Sequence, residues 1–140
     1  MSMKLIQEAK EFFESYELAN VMFDEKSIIV SIFEATSRSV LQVKITEKTG
    51  KNFISRSVET NMFCDIKIDR SIVKMNFKYK ETKISKEFID VINSLKKNDY
   101  VIKYIGNIAY ITIIDPRVEE IVKIFMELEP HCKRYSNQRV

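Results

Sequence analysis

Leu5, Ile6, Ala9, Phe12, Phe13 and Tyr16 recur at intervals of three and four residues, which puts the large apolar groups of the first segment on one helical stripe. Glu8, Glu11, Glu14 and Glu17 take the opposite side, with Lys4 and Lys10 as candidate pair partners. A short extended piece at 21–23, the polar turn Asp24-Glu25-Lys26 and a strand over 28–33 follow. Residues 35–39 read as a turn. Leu41, Val43 and Ile45 then alternate with Gln42 and Lys44, as in a half-buried strand. A loop over 46–52 contains Gly50, and 53–58 reads as a further short strand. Cys64, Ile66 and Ile68 alternate with Asp65 and Lys67. After the tight connection Asp69-Arg70, Val73, Met75, Phe77 and Tyr79 alternate with Lys74, Asn76 and Lys78. This pattern predicts an antiparallel hairpin with one apolar and one charged face.

A second helix opens at Ser85, a good N-cap, with Ile84 and Ile89 placed for a hydrophobic staple. Phe88, Val91, Ile92 and Leu95 form its apolar stripe, and Lys96-Lys97 suit the negative end of its dipole. Gly106-Asn107 joins the runs 100–105 and 108–114 into a hairpin, since glycine supplies the positive φ of a two-residue turn. A third helix is expected with Asp115 as N-cap, Pro116 at its first position and Glu119-Glu120 in its first turn. Val118, Ile121, Val122, Phe125 and Leu128 face its core, and Pro130 is expected to stop it. Residues 136–140 read as a polar tail. The predicted class is α+β: an antiparallel sheet carrying two helix-plus-hairpin units, with a C-terminal helix packed on it. The two units echo each other in sequence, because Lys10-Glu11-Phe12 and Lys86-Glu87-Phe88 each open a helix that leads into strands.

At 140 residues the chain is expected to be one domain over 1–135, long enough to fold without disulfides or metals. Its 45% apolar and 31% charged residues are those of a soluble globular protein. No apolar run approaches the length of a membrane span and no leader is evident, so no membrane partner and a cytoplasmic location are expected. Cys64 and Cys132 lack metal-ligand spacing, and Cys64 alternates with apolar neighbours as a buried small residue. No cofactor or metal is implied. Charge is unevenly distributed: residues 1–37 carry a net −4, 38–103 a net +7 and 104–140 a net of zero.

Chemistry is hard to find. The carboxylate pairs Glu11/Glu14, Glu119/Glu120 and Glu127/Glu129 fall on solvated helix faces, where nothing separates their acidities into an acid and a base. Thr49-Gly50-Lys51 is too short for a phosphate loop. A nucleophilic triad would have to use His131, the sole histidine, close to the C-terminus. The sequence therefore points away from an enzyme. Binding features are stronger. Lys67, Lys74 and Lys78 share the non-core face of their hairpin with Asn76 and Phe63, and Lys44 with Gln42 extends it. Lysines with an aromatic among them can hold backbone phosphates while the ring stacks a base. The competing explanation is that lysines on a solvated sheet guard it against edge-to-edge aggregation. Tyr100, Tyr104 and Tyr110 either add an amphipathic surface or pack into the core with hydroxyls at the rim.

Glu34-Ala35-Thr36-Ser37-Arg38-Ser39-Val40-Leu41-Gln42-Val43, following the first helix-strand unit, resembles the opening of a sliding-clamp (replication processivity factor) domain. Residues 86–113 are similar to the second half of such a domain, so the resemblance spans roughly residues 5–113. It implies a helix-and-sheet unit repeated about a pseudo-twofold. The chain departs from clamps in having a single domain, an added third helix, and glutamates where clamp helices present basic residues to DNA. The fold likeness alone does not imply DNA encirclement. The function expected is a small non-catalytic binding module that contacts DNA or RNA backbone through Lys44, Lys67, Lys74 and Lys78. The alternative is a protein-interaction or structural subunit, such as a homodimer joined through exposed strands, with no nucleic-acid role.

Overall fold

The computed structural model describes residues 2–16, 19–33 and 62–132. The turn at 35–39, the strands expected at 41–45 and 53–58, the loop at 46–52, Lys44, the Ser-Arg-Val motif and the polar tail lie outside the described residues. The elements run α1 (Ser2–Glu14), β1 (Ala19–Phe23), β2 (Ser27–Phe33), β3 (Met62–Asp69), β4 (Ile72–Lys78), α2 (Lys86–Leu95), β5 (Val101–Ile105), β6 (Ile108–Ile114) and α3 (Val118–Cys132). The described strands form one antiparallel six-stranded sheet in the order β1-β2-β3-β4-β6-β5. The protein is α+β, with α1 packed on β1 and β2, α3 on β3 and β4, and α2 against α3.

Alternation decides which face is which. Ile28, Val30 and Ile32 of β2 are buried, as are Ile66 and Ile68 of β3, Val73, Met75 and Phe77 of β4, and Ala109, Ile111 and Ile113 of β6. They meet Leu5, Ile6, Ala9 and Phe13 of α1, and Ile121, Phe125 and Leu128 of α3, in one core. The intervening residues form the other face of the sheet.

The echo in the sequence has a counterpart in topology. α1 and α2 are each followed by a hairpin, and the first strand of each of these hairpins, β1 or β5, lies at an edge of the sheet among the described residues. The correspondence stops at the helices. α1 covers its own hairpin, whereas α2 rests on α3, which takes the middle of the sheet.

Turn chemistry follows the sequence closely. The Asp24 carboxylate accepts from the Lys26 and Ser27 amides at 2.8 and 3.0 Å and closes the β1–β2 turn. Gly106 has φ +60, which only glycine adopts without strain, although a Cβ there would meet nothing within 4 Å. Ser85 caps α2 as expected, its Oγ accepting from the Phe88 amide at 3.1 Å with the backbone extended. Ser85→Ala should cost about 1 kcal/mol, read as a lower urea midpoint at unchanged slope.

α3 departs from expectation at both ends. Asp115 is not its N-cap: it sits at φ +51 and gives its amide to the Ser71 carbonyl at 2.6 Å. An N-cap needs extended backbone, so the helix begins later, with the Arg117 carbonyl accepting from Glu120 and Ile121 at 3.1 and 3.3 Å. Pro130 does not stop the helix, which continues to Cys132. The proline removes a single helical donor near the end. Burial of Leu128 and Cys132, and a bond from the Lys80 amide to the His131 carbonyl at 3.2 Å, hold the last turn in place.

Candidate functional site

Among the described residues no helix packs on the outer face of the sheet, and strand register arranges that face in rows. One row runs Met22, Ile29, Lys67, Lys74, Thr112 and Val101 across all the strands. The next runs Asn20, Ser31, Asp65, Asn76, Tyr110 and Lys103. Lys67 and Lys74 are thus directly opposed on neighbouring strands, both exposed. Lys78 lies four residues along β4 from Lys74, about 13 Å at the usual strand rise. None of these three lysines makes an ion pair among the described residues. The Lys67 charge does act on Asp65, two residues away on the same face. The structure therefore brings Lys67 and Lys74 together and sets Lys78 apart from them, with Asn76 between.

A groove opens beside Asn76 and Lys78. Phe63, Asp65, Asn76, Lys78, Ile108 and Tyr110 line a recess of about 350 Å³ together with Met62 and Cys64. Its position follows from a bulge. Ile32 pairs with Cys64 and Phe33 with Met62, so β3 carries one extra residue, Phe63, opposite β2. Phe63 and Cys64 are consequently both buried although they are adjacent in sequence. Tyr110 and Ile108 come from β6, which pairs with β4 across the intervening helix and β5.

Asp65 is the carboxyl group of the groove, and its acidity is displaced. Burial holds its carboxyl above the usual range, against the opposing pull of the Lys67 charge and a hydrogen bond from Ser31. A folded-state pKa above the unfolded one means that the ionised group opposes folding at neutral pH, and that this cost vanishes at pH below the unfolded carboxylate value. Asp65→Asn, which keeps an acceptor for Ser31, should raise Tm at pH 7. The gain should shrink to nothing as pH falls below about 4, a comparison that thermal melts at several pH values supply.

The other ionisable contacts are structural. Tyr16 donates to Glu129 and Tyr100 donates to Glu120, tying α1 and the start of β5 to α3. Burial first, and then the acceptor carboxylate, pushes both phenols well above their ordinary range. Lys97 adds an ion pair to Glu120 at 3.6 Å. Tyr100 is thus a core residue with a satisfied hydroxyl, while Tyr110 belongs to the outer face and Tyr104, on the core-side register of β5, is exposed. Cys64 and Cys132 are buried free thiols near enough to act on each other electrostatically. Burial raises the first well above its ordinary value, and the second to about 12, so neither is a thiolate nucleophile near neutral pH. His131 rests its ring 5.7 Å from that of Phe88.

Among the described residues no group of three or more His, Cys, Asp and Glu side chains is placed to hold a metal ion. No helix among them is long and apolar enough to cross a membrane. No protein-family model, no curated protein and no solved structure matches the chain.

Sequence reasoning placed Lys67, Lys74, Lys78, Asn76 and Phe63 on one face but did not single out Asp65, Ile108 or Tyr110 as groove residues. The alternation of Asp65 with Cys64 and Ile66 carried the signal for the first. The pairing of β4 with β6 leaves no local signature.

Proposed function

We propose that this protein is a non-catalytic binding module whose outer sheet face contacts the sugar-phosphate backbone of nucleic acid, with Lys67, Lys74 and Lys78 as the phosphate-holding groups. The observation that carries the reading is the opposed pair Lys67 and Lys74. Like charges directly across a sheet destabilise it, and these two make no ion pair with any described carboxylate. An anionic ligand would convert that cost into binding energy. Backbone phosphates supply anions at regular spacing and are held by lysine without reading sequence. Titration of labelled single- and double-stranded DNA and RNA, followed by fluorescence anisotropy at low salt, tests the reading. Saturable association that weakens steeply with salt is expected, and no association with any of the four overturns it. The resemblance to sliding clamps is compatible with DNA as the ligand, but encirclement is not part of the proposal.

A second reading rests on β5. Among the described residues this strand is an edge, and Val101 and Ile105 on its outer face are 54% and 62% exposed, with Ile114 of β6 at 59%. An open apolar edge is a template for strand pairing, which favours a homodimer or complex subunit. Sedimentation equilibrium across a wide concentration range decides this point: a monomer throughout removes self-association.

A further inference from the structure

The groove beside the lysines has a chemistry of its own. It lies at the Asn76–Lys78 end of β4 with Lys78 in its lining and Lys74 further along the same strand, so a nucleic-acid strand held by these cations would reach it. Ile108 and the half-buried Tyr110 ring form an apolar wall, and buried Phe63 closes the recess. Asp65 and Asn76 are register partners, and Asn76 is in turn the register partner of Tyr110. These three side chains stand on adjacent strands about 4.8 Å apart. The recess, at about 350 Å³, is at the small end of ligand sites, which run from roughly 300 Å³ upward.

The polar groups are not interchangeable. An ionised carboxylate only accepts hydrogen bonds, an amide both donates and accepts, and an ammonium only donates. Unstacked bases present their Watson–Crick edges to such groups. Guanine offers two adjacent donors, N1–H and the N2 amino group, beside the O6 acceptor. Adenine and cytosine each offer a single amino donor beside a bare ring nitrogen, which would face the carboxylate lone pairs. Thymine and uracil offer one N–H between two carbonyls. Two donors for Asp65, with O6 turned toward the Asn76 amide or the Lys78 ammonium, match guanine alone. Ser31 already donates to the carboxylate, and with about four lone-pair sites it retains room for two more donors.

We infer that the groove lined by Asp65, Asn76, Lys78, Ile108 and Tyr110 takes one unstacked guanine base, with Asp65 accepting from its N1–H and N2–H groups. The inference rests on the nucleic-acid reading for the source of the base, but free guanosine monophosphate carries the same edge. It also accounts for an ionisable group kept where burial penalises its charge, a common mark of binding sites.

The test compares an oligothymidylate with the same strand carrying one central guanosine, each titrated by anisotropy into the wild-type protein and Asp65→Asn. Guanosine and adenosine monophosphates are titrated calorimetrically in parallel. The guanosine strand should bind about fivefold or more tightly to the wild type, the low end of a good bidentate base contact. In Asp65→Asn the ratio of the two dissociation constants should fall to about one. Because that substitution is expected to raise stability, loss of the ratio would not reflect unfolding, and a thermal melt of the variant verifies this. Equal affinity for both strands in the wild type, or a preference that survives in Asp65→Asn, overturns the inference while leaving backbone binding intact. If neither strand binds but guanosine monophosphate does, in preference to adenosine monophosphate, the groove stands as a free-nucleotide site and the backbone reading falls. If nothing binds, both fall.

Discussion

Phe125→Ala should remove about a fifth or more of the folding free energy. The Phe125 ring is 0% exposed and meets Phe13 and Tyr16 edge-on, with centroids 5.5 and 5.2 Å away. Those contacts join α3 to α1 and to the residues just after it. Deleting a buried phenylalanine ring typically costs about 3–5 kcal/mol, through lost transfer energy and the cavity left behind. A domain of this size holds on the order of 5–15 kcal/mol in all. Urea unfolding followed by circular dichroism measures the loss. Met126, the next residue, is 53% exposed, and its replacement by alanine should stay within about 0.5 kcal/mol. Similar losses for the two substitutions would mean that α3 presents a different face to the sheet.

Lys74→Glu should weaken nucleic-acid binding strongly without weakening the fold. Loss of a charge-assisted contact to a phosphate is worth about 1.5–3 kcal/mol, or roughly 10- to 100-fold in affinity, and the new carboxylate adds repulsion. In the free protein the same substitution turns the opposed Lys67–Lys74 pair into an opposite-charge pair, which favours folding by about 0.2–1 kcal/mol. Anisotropy and urea unfolding on one preparation give both readings. Lower affinity with equal or higher stability is the expected combination. If affinity is unchanged, Lys74 is not a phosphate contact and the aggregation-guard explanation of the lysines gains ground.

Much of the fold is legible in the sequence because local chemistry agrees with tertiary structure. Alternation in 64–79, the Ser85 cap and Gly106-Asn107 each encode their element within a few residues, and all three appear where expected. Sequence and structure part at α3. Asp115 and Pro116 form a good helix start in isolation, but the bond from the Asp115 amide to Ser71 fixes a left-handed backbone there. Pro130 has the local chemistry of a stop, and burial of Cys132 beyond it overrides that preference.

The candidate site is legible only in part, for a related reason. Period-two alternation assigns residues to faces, so spacing alone puts Lys67, Lys74 and Lys78 on one side. It does not say which strands are neighbours. The groove needs β6 beside β4, although α2 and β5 intervene in sequence, and it needs a bulge at Phe63. Both features are set by pairing between distant segments.

If the outer sheet face holds backbone phosphates through its opposed lysines, binding must release counterions in proportion to the phosphates they neutralise. The quantity to measure is the slope of log K against log salt for one single-stranded DNA, for the wild type and for the double variant Lys67→Ala, Lys74→Ala. Each phosphate neutralised contributes about 0.7 to the slope on single strands. A linear dependence is expected, with a magnitude that falls by about 1.4 in the double variant. An identical slope in both proteins, or no salt dependence in the wild type, would show that these lysines do not hold phosphates.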